Sequence, residues 1–180
     1  MELQEISTVV CKAYDKQELR LLARKAVAQV FDNPIDVEFL SEVGIPLVEE
    51  FEVNFNLAEQ FPLLRNYIFE KGEYLADWPK QIRCFNEKDG AVYGIDKGQD
   101  DAVVCLDMNG DYAPKFISSK LTYFIAFRAE CRLHLDRLRS GKMTRERSFE
   151  MALDRMRIWD VKAVNQGWWQ GVFETLNFYG

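Results

Sequence analysis

The chain has 180 residues, of which 48% are apolar and 29% charged, and its net charge is −6. At this length a single domain buries roughly 70% of its unfolded surface, so we expect one domain over residues 1–180. There is no run of ~18 apolar residues that would span a membrane, and the acidic start Met1–Glu5 does not fit a secretory signal.

The first predicted element is a helix in the N-terminal segment, residues 1–35. Asp15 and Glu18 form a capping-box pattern, and apolar residues then recur at three- and four-residue spacings up to Phe31. Asn33-Pro34 ends the helix, because the residue before a proline avoids helical geometry. The apolar stripe of this helix is predicted to face the core.

A second, shorter helix is predicted from Asp36 to Val43. Gly44 is placed to adopt the left-handed conformation that ends a helix, and Pro46 blocks its continuation. Beyond it, residues 51–55 alternate between apolar and polar side chains, which predicts a half-buried strand. Residues 61–69 fit either a helical turn or a further strand.

The middle of the chain predicts a sheet. Strand-like runs at 82–85 and 91–95 flank Asp89-Gly90, a strong hairpin signal. The continuous apolar run 102–106 predicts a strand that is buried on both faces. Asn109-Gly110 predicts the next turn, and residues 112–117 the next strand. In total we expect about five strands, mostly antiparallel.

The last third predicts helices. Ser118 or Ser119 is placed to cap a helix that extends to about Arg139 and ends at Ser140-Gly141. Thr144 is placed to cap the next helix, and residues 168–173 predict a short closing helix in which Trp168 and Trp169 either both pack on the core or leave one exposed. The expected fold class is therefore α+β: a single domain with a central sheet and helices at its N- and C-terminal ends.

Charge is spread unevenly along the chain. Residues 32–77 carry eleven acids and two bases, a net −9, whereas residues 128–157 carry nine bases and five acids. The acidic half does not suit a phosphate backbone but suits a basic protein partner. We predict that partner binding falls on one set of side chains: Glu49, Glu50, Glu52, Glu59, Glu70, Glu73, Asp77 and Trp78. The basic half is interpreted as solvated helix surface.

The sequence offers little catalytic or metal-binding chemistry. His134 is the only histidine, and we interpret it as a surface or boundary residue, although Cys131 is close enough along the helix for a cysteine–histidine pair. Asp107–Asp111 opens like a calcium loop but lacks the glycine and glutamate that such a loop requires. Four cysteines without a CxxC pair favour a reduced, cytoplasmic protein. We predict no catalytic residue, metal or cofactor.

Several local motifs occur together in an order that resembles the SUKH superfamily. They are Phe39-Leu40 with Gly44-Ile45-Pro46, then Tyr93-Gly94-Ile95-Asp96, Val104-Cys105-Leu106-Asp107, Phe116-Ile117-Ser118-Ser119 with Leu121 and Phe124, and the tryptophan-containing C-terminal segment. The similarity covers residues 36–180. The N-terminal helical segment 1–35 and the acidic stretch 49–77 lie where such families vary.

The resemblance implies a binding protein without catalytic turnover. Most SUKH proteins are bacterial immunity proteins that bind polymorphic or contact-dependent toxins, often nucleases or nucleic-acid deaminases, in the cytoplasm of the producing cell. It implies a cognate, basic toxin as partner, no direct contact with nucleic acid or membrane, and a monomer or weak homodimer. A fungal branch suggests the alternative of a regulatory scaffold for cell-wall or signalling enzymes. A third possibility is an enzyme with a cysteine or carboxylate site.

Overall fold

A computed structural model describes residues 2–47, 61, 81–88, 91–107 and 113–179. The helices are α1 (Glu2–Ala13), α2 (Arg24–Val27), α3 (Pro34–Glu42), α4 (Leu121–Arg139), α5 (Arg145–Asn165) and α6 (Trp168–Tyr179). The strands are β1 (Leu19–Arg20), β2 (Ile45–Pro46), β3 (Ile82–Lys88), β4 (Ala91–Asp96), β5 (Ala102–Asp107) and β6 (Lys115–Ser118). Short 3-10 turns lie at Lys16–Glu18 and Lys97–Gln99. None of the described helices combines the length and the apolar character that crossing a membrane requires.

The predicted α+β class is confirmed, and the central sheet is an antiparallel meander. Its four strands follow the order β3-β4-β5-β6. Lys88 pairs with Ala91, which places a hairpin where Asp89-Gly90 predicted one. The expected number was about five strands, whereas the sheet formed by the described residues has four. The strand predicted at 51–55 lies outside these residues.

Both faces of the sheet are buried, as the apolar run of β5 predicted. One face joins the main core, in which Phe85, Tyr93 and Val103 pack with side chains of α1, α4, α5 and α6. The other face carries a separate cluster made of Ile82, Cys84, Val92, Val104 and Leu106, each at most 2% exposed. Burial on both sides explains why this part of the sequence has continuous apolar runs instead of alternation.

The C-terminal helices follow the prediction closely. Thr144 caps α5 by accepting a hydrogen bond from the Arg147 backbone N–H at 3.3 Å, and the predicted stripe of α5 is buried from Ala152 to Trp159. Trp169 is buried, and its indole N–H donates to the Ile117 carbonyl at 3.0 Å. Trp168 is half-buried against the core. Trp169 therefore connects α6 to β6.

The predicted helix from Asp15 to Phe31 is wrong. Glu18 does accept a hydrogen bond from the Asp15 backbone N–H at 2.7 Å, but that cap supports only one 3-10 turn. The chain then extends, and β1 pairs with β2 in a two-stranded sheet. The tertiary pairing overrides the helical spacing, since propensity is a weak prior. Within the predicted range only the four residues of α2 (Arg24–Val27) form an α-helix, and the longer N-terminal helix is α1 (Glu2–Ala13), which the sequence patterns did not predict.

The end of α3 confirms the prediction for Gly44. Its φ is +97°, and an added Cβ would collide with the Arg20 carbonyl in β1. A side chain here would be strained by the left-handed backbone and would also push β1 away from β2. This glycine therefore ends α3 and allows the two short strands to pair.

The serine caps predicted for α4 are wrong in detail. The N-cap position is Lys120, whose side chain makes no capping hydrogen bond. Instead, a carboxylate oxygen of Asp36 in α3 accepts from the backbone N–H of Thr122 at 2.8 Å and from its hydroxyl at 2.6 Å. Asp36 thus caps the first turn of α4 across the core, from a position 86 residues earlier.

Candidate interaction surfaces

The predicted partner-binding residues lie outside the part of the chain that the structure describes. They are Glu49, Glu50, Glu52, Glu59, Glu70, Glu73, Asp77 and Trp78. Their role therefore remains a prediction. The described residues offer two other surfaces where apolar side chains reach solvent, and neither was expected from the sequence.

The first surface is a groove beside β1 and α2. It encloses about 340 Å³ and is lined by Arg20, Leu21, Leu22, Ala23, Ala26, Val27, Gln29, Val30 and Phe61. Phe61 closes one side by packing edge-on against Phe31, with 5.5 Å between ring centroids. Leu21 is 58% exposed. The apolar stripe that predicted a core-facing helix therefore lines an open groove.

Cations lie at and beside this groove. Arg20 lines it, Arg24 and Lys25 lie between its lining residues Ala23 and Ala26 along the chain, and all three are exposed. Residues 19–31 contain no acid. Among the described residues, only Glu42 forms an ion pair with any of the three, through a 3.8 Å approach to Arg24. Both of those side chains are more than 60% exposed, so the pair contributes little. The groove thus combines an apolar floor with a positive rim, and we call it the cation-rimmed groove.

The second surface lies on α5, where the helix is kinked. Ile158 is 72% exposed and Val161 is 57% exposed, one on each side of the kink. Next to them, the Lys162 ammonium lies over the half-buried Phe116 ring, 3.8 Å from its centroid. We call Ile158 and Val161 the kink pair. Both lie outside the buried apolar stripe of α5. Aliphatic residues at positions outside the stripe are the sequence signal that could have identified this surface.

The kink is fixed by a buried carboxylate. Asp160 has non-helical angles (φ −150°, ψ 82°) and is 5% exposed. Its carboxylate accepts from the backbone N–H of Ala163 at 3.0 Å, as an N-cap does for a new helical turn. It also accepts from the backbone N–H of Ser119 at 2.5 Å, which ties the kink to the end of β6. The kink pair therefore sits on a held backbone.

The prediction that His134 lies at the surface or at its boundary is wrong. His134 is fully buried, packs edge-on against Phe173, and has its Nδ1 atom 2.8 Å from the Ser148 hydroxyl. Ser148 is fully buried as well. A serine beside a histidine resembles part of a nucleophilic site, but a substrate cannot reach a pair with no exposed surface. We assign the pair a structural role.

The basic half of the chain is also less solvated than expected. Glu130 is fully buried between α4 and α5, where it accepts a hydrogen bond from Arg137 at 2.9 Å and a shorter one from Arg155. Arg132 pairs with Glu18 at 3.1 Å. The hydrogen bond from the Asp15 backbone N–H lowers the pKa of Glu18 below its usual value. Burial acts in the opposite direction, and the nearby Arg132 adds to the lowering. Several of these cations therefore act in internal ion pairs.

A further ion cluster connects the N-terminal region to the sheet. The Lys97 ammonium donates to Asp101 at 2.5 Å, to Asp32 at 2.6 Å and to the Val30 carbonyl at 2.8 Å. Burial alone would lower the pKa of Lys97, but its hydrogen bonds to Asp101 and Asp32 outweigh burial and raise it. Within the described ranges, no three His, Cys, Asp or Glu side chains are grouped as metal ligands.

Comparison with known proteins adds no relative. No protein-family model matches the chain, and neither the curated proteins nor the solved structures give a match. The resemblance to the SUKH superfamily therefore depends on the sequence motifs alone.

Proposed function

We propose that this protein is a cytoplasmic immunity protein that binds a cognate toxin and blocks it by direct contact, without catalytic turnover. The proposal has support from the sequence and from the structure. The sequence motifs occur in an order that resembles the SUKH superfamily. The described surface offers apolar side chains that a partner could contact.

The observation that carries the proposal is the kink pair. Covering exposed aliphatic side chains removes apolar surface from water, which favours association. The backbone beneath Ile158 and Val161 is held by Asp160, so a partner would not have to order it on binding. Such preorganisation lowers the entropic cost of association. We therefore assign these two side chains as apolar anchors for the toxin.

The motif residues themselves have structural roles, which suits a family that varies its contact surface. Gly44 ends α3, Phe124 is fully buried, and Phe116 packs half-buried at the core. The acidic residues of 49–77 remain the proposed electrostatic contact, since a basic toxin that acts on nucleic acid would be attracted to them.

The experiment is a pull-down of the tagged protein from its own cell's lysate, followed by mass spectrometry. We expect one small basic toxin domain, held with an affinity on the order of nanomolar. Ile158→Ala with Val161→Ala should weaken binding by about tenfold to a hundredfold, which is typical of apolar anchors. The matched control is Arg145→Ala with Arg147→Ala, at exposed positions at the start of the same helix, which should not weaken binding.

The outcomes separate the alternatives. Several housekeeping proteins held weakly would favour a regulatory scaffold, and the absence of any partner would return attention to an enzyme. If Glu49→Lys, Glu50→Lys and Glu52→Lys together leave toxin affinity unchanged, the acidic contact is wrong. If the kink-pair variant binds as well as the wild type, the anchor assignment is wrong.

A further inference from the structure

The cation-rimmed groove leaves apolar surface exposed in a concave site. Leu21, Ala23 and Ala26 are exposed there, above the partly buried Leu22 and Val30 and the buried Phe61. A volume of about 340 Å³ is enough for two or three aliphatic side chains of a ligand, since binding clefts start near roughly 300 Å³. The groove therefore has the size and lining of a site for side-chain anchors.

The rim restricts the charge of the occupant. Arg20, Arg24 and Lys25 carry three positive charges within six residues, and among the described residues only Glu42 forms an ion pair with one of them. A cationic segment would be repelled, and a nucleic acid would meet an apolar floor in a protein whose net charge is −6. An anionic segment with apolar anchors satisfies both the rim and the floor.

We infer that the cation-rimmed groove binds a short acidic amphipathic segment of a partner protein. Its aliphatic side chains enter the groove over Leu22, Val30 and Phe61, and its carboxylates meet Arg20, Arg24 and Lys25. This site is separate from the kink pair and is opposite in sign to the acidic segment proposed for the toxin. The inference does not depend on the immunity function.

The first test uses two synthetic peptides and fluorescence anisotropy with the full chain. One peptide has leucine at helical three- and four-residue spacings with glutamate between, and the other has lysine in place of glutamate. We expect the glutamate peptide to bind at least about tenfold more tightly, and to weaken as salt shortens the screening length. Equal binding of both peptides, or no binding of the glutamate peptide, would overturn the inference.

The second test uses variants of exposed residues, which should fold normally. Leu21→Ser, and separately Arg20→Gln with Lys25→Gln, should each weaken the glutamate peptide about tenfold. The control is Arg145→Gln with Arg147→Gln, which removes the same charge from exposed positions at the start of α5. If the control weakens binding as much as the rim variant, the attraction is non-specific and the groove is not the site.

A third test asks whether another part of this chain already fills the groove. In a Cys11→Ser background, Ala26→Cys places a thiol on the groove wall, and its reaction with a neutral maleimide is timed. We expect a rate close to that of the exposed wild-type Cys11, and protection when the glutamate peptide is added. Slow labelling without peptide that speeds up after Glu49→Lys, Glu50→Lys and Glu52→Lys would identify an internal occupant and overturn the partner site.

Discussion

Glu130 and Asp36 are both fully buried carboxylates, but the protein holds them in different ways. Glu130 lies between two guanidinium groups, those of Arg137 and Arg155. Asp36 instead accepts two hydrogen bonds from Thr122, both on one oxygen. Its other oxygen has no hydrogen-bond partner among the described residues.

The difference determines what each charge contributes. A carboxylate between two cations is compensated, so removing it leaves two positive charges without their partner, at side chains that are 15% and 31% exposed. A carboxylate held by dipoles alone is not compensated, and burial, against the hydrogen bonds from Thr122, raises the pKa of Asp36. Glu130 therefore connects α4 and α5 through ion pairs. Asp36 instead stabilises α4 through its hydrogen bonds as a cap, and ionising its buried carboxyl group destabilises the fold.

The largest expected effect comes from removing the compensated charge. Glu130→Gln keeps the shape of the side chain but leaves Arg137 and Arg155 without their shared anion. We expect a loss of about 3–5 kcal/mol in the free energy of unfolding, as for other broken buried ion pairs. Urea denaturation followed by circular dichroism measures it.

The matched control is Glu150→Gln. Glu150 is 65% exposed and lies 3.9 Å from Arg147, so that pair should contribute less than about 1 kcal/mol. If Glu130→Gln loses no more stability than the control, the guanidinium groups of Arg137 and Arg155 bond to water or to other partners instead. The buried ion pairs would then contribute no more than the surface pair.

A smaller loss of stability is expected at Lys97, where one cation lies between two carboxylates, those of Asp32 and Asp101. Lys97→Met keeps most of the aliphatic stem but leaves Asp101, which is 2% exposed, without its counter-charge. Asp101 still accepts from the backbone N–H groups of Asp32 and Asn33, at 2.7 and 3.2 Å. We therefore expect a loss of about 2–3 kcal/mol, below the range for Glu130.

Thermal or urea unfolding measures the loss, and Lys16→Met, at an exposed lysine of the first 3-10 turn, is the control. A Lys97 variant as stable as the control would show that the two backbone hydrogen bonds are sufficient to stabilise the buried Asp101 carboxylate. The N-terminal region would then be joined to the sheet without the ammonium.

The same contrast between local and distant interactions explains what the sequence could predict. The meander and the helix α5 are set largely by neighbours in the chain: Lys88 pairs with Ala91, and Thr144 caps its own helix. Signals of this kind are present in the sequence itself, so these elements were predicted, with boundaries correct to a few residues.

Elements that depend on distant residues were missed. Residues 15–31 have helical spacing, but pairing of β1 with β2 required Gly44 to lie against Arg20, which no local pattern indicates. The cap of α4 comes from Asp36 in α3, and the serines beside it were the closer but wrong choice. His134 was predicted at the surface or its boundary for a similar reason, because the residues that bury it, Ser148 and Phe173, come from other helices.

The candidate surfaces divide in the same way. The acidic partner-binding set came from charge counts, and it remains a prediction because residues 49–60 and 62–78 lie outside the described part of the chain. The cation-rimmed groove exists only because the predicted helix does not form. The kink pair could have been suspected from two aliphatic residues off the stripe of α5, but their exposure depends on Asp160 and Ser119.

The smallest effect should appear at Asp36, and it should depend on pH. Because burial raises its pKa in the folded protein, Asp36 contributes stability that is fully present below its ordinary value of 3.8 and is lost as the pH rises through the raised value. Asp36→Asn retains a carbonyl oxygen that can cap Thr122 but cannot ionise. We therefore expect the variant to gain stability relative to the wild type as the pH rises from about 4 towards neutral. Urea denaturation of both proteins across that range measures the difference. A difference that stays constant with pH would mean that Asp36 titrates alike in the folded and unfolded chains, and that the hydrogen bonds from Thr122 offset the effect of its burial.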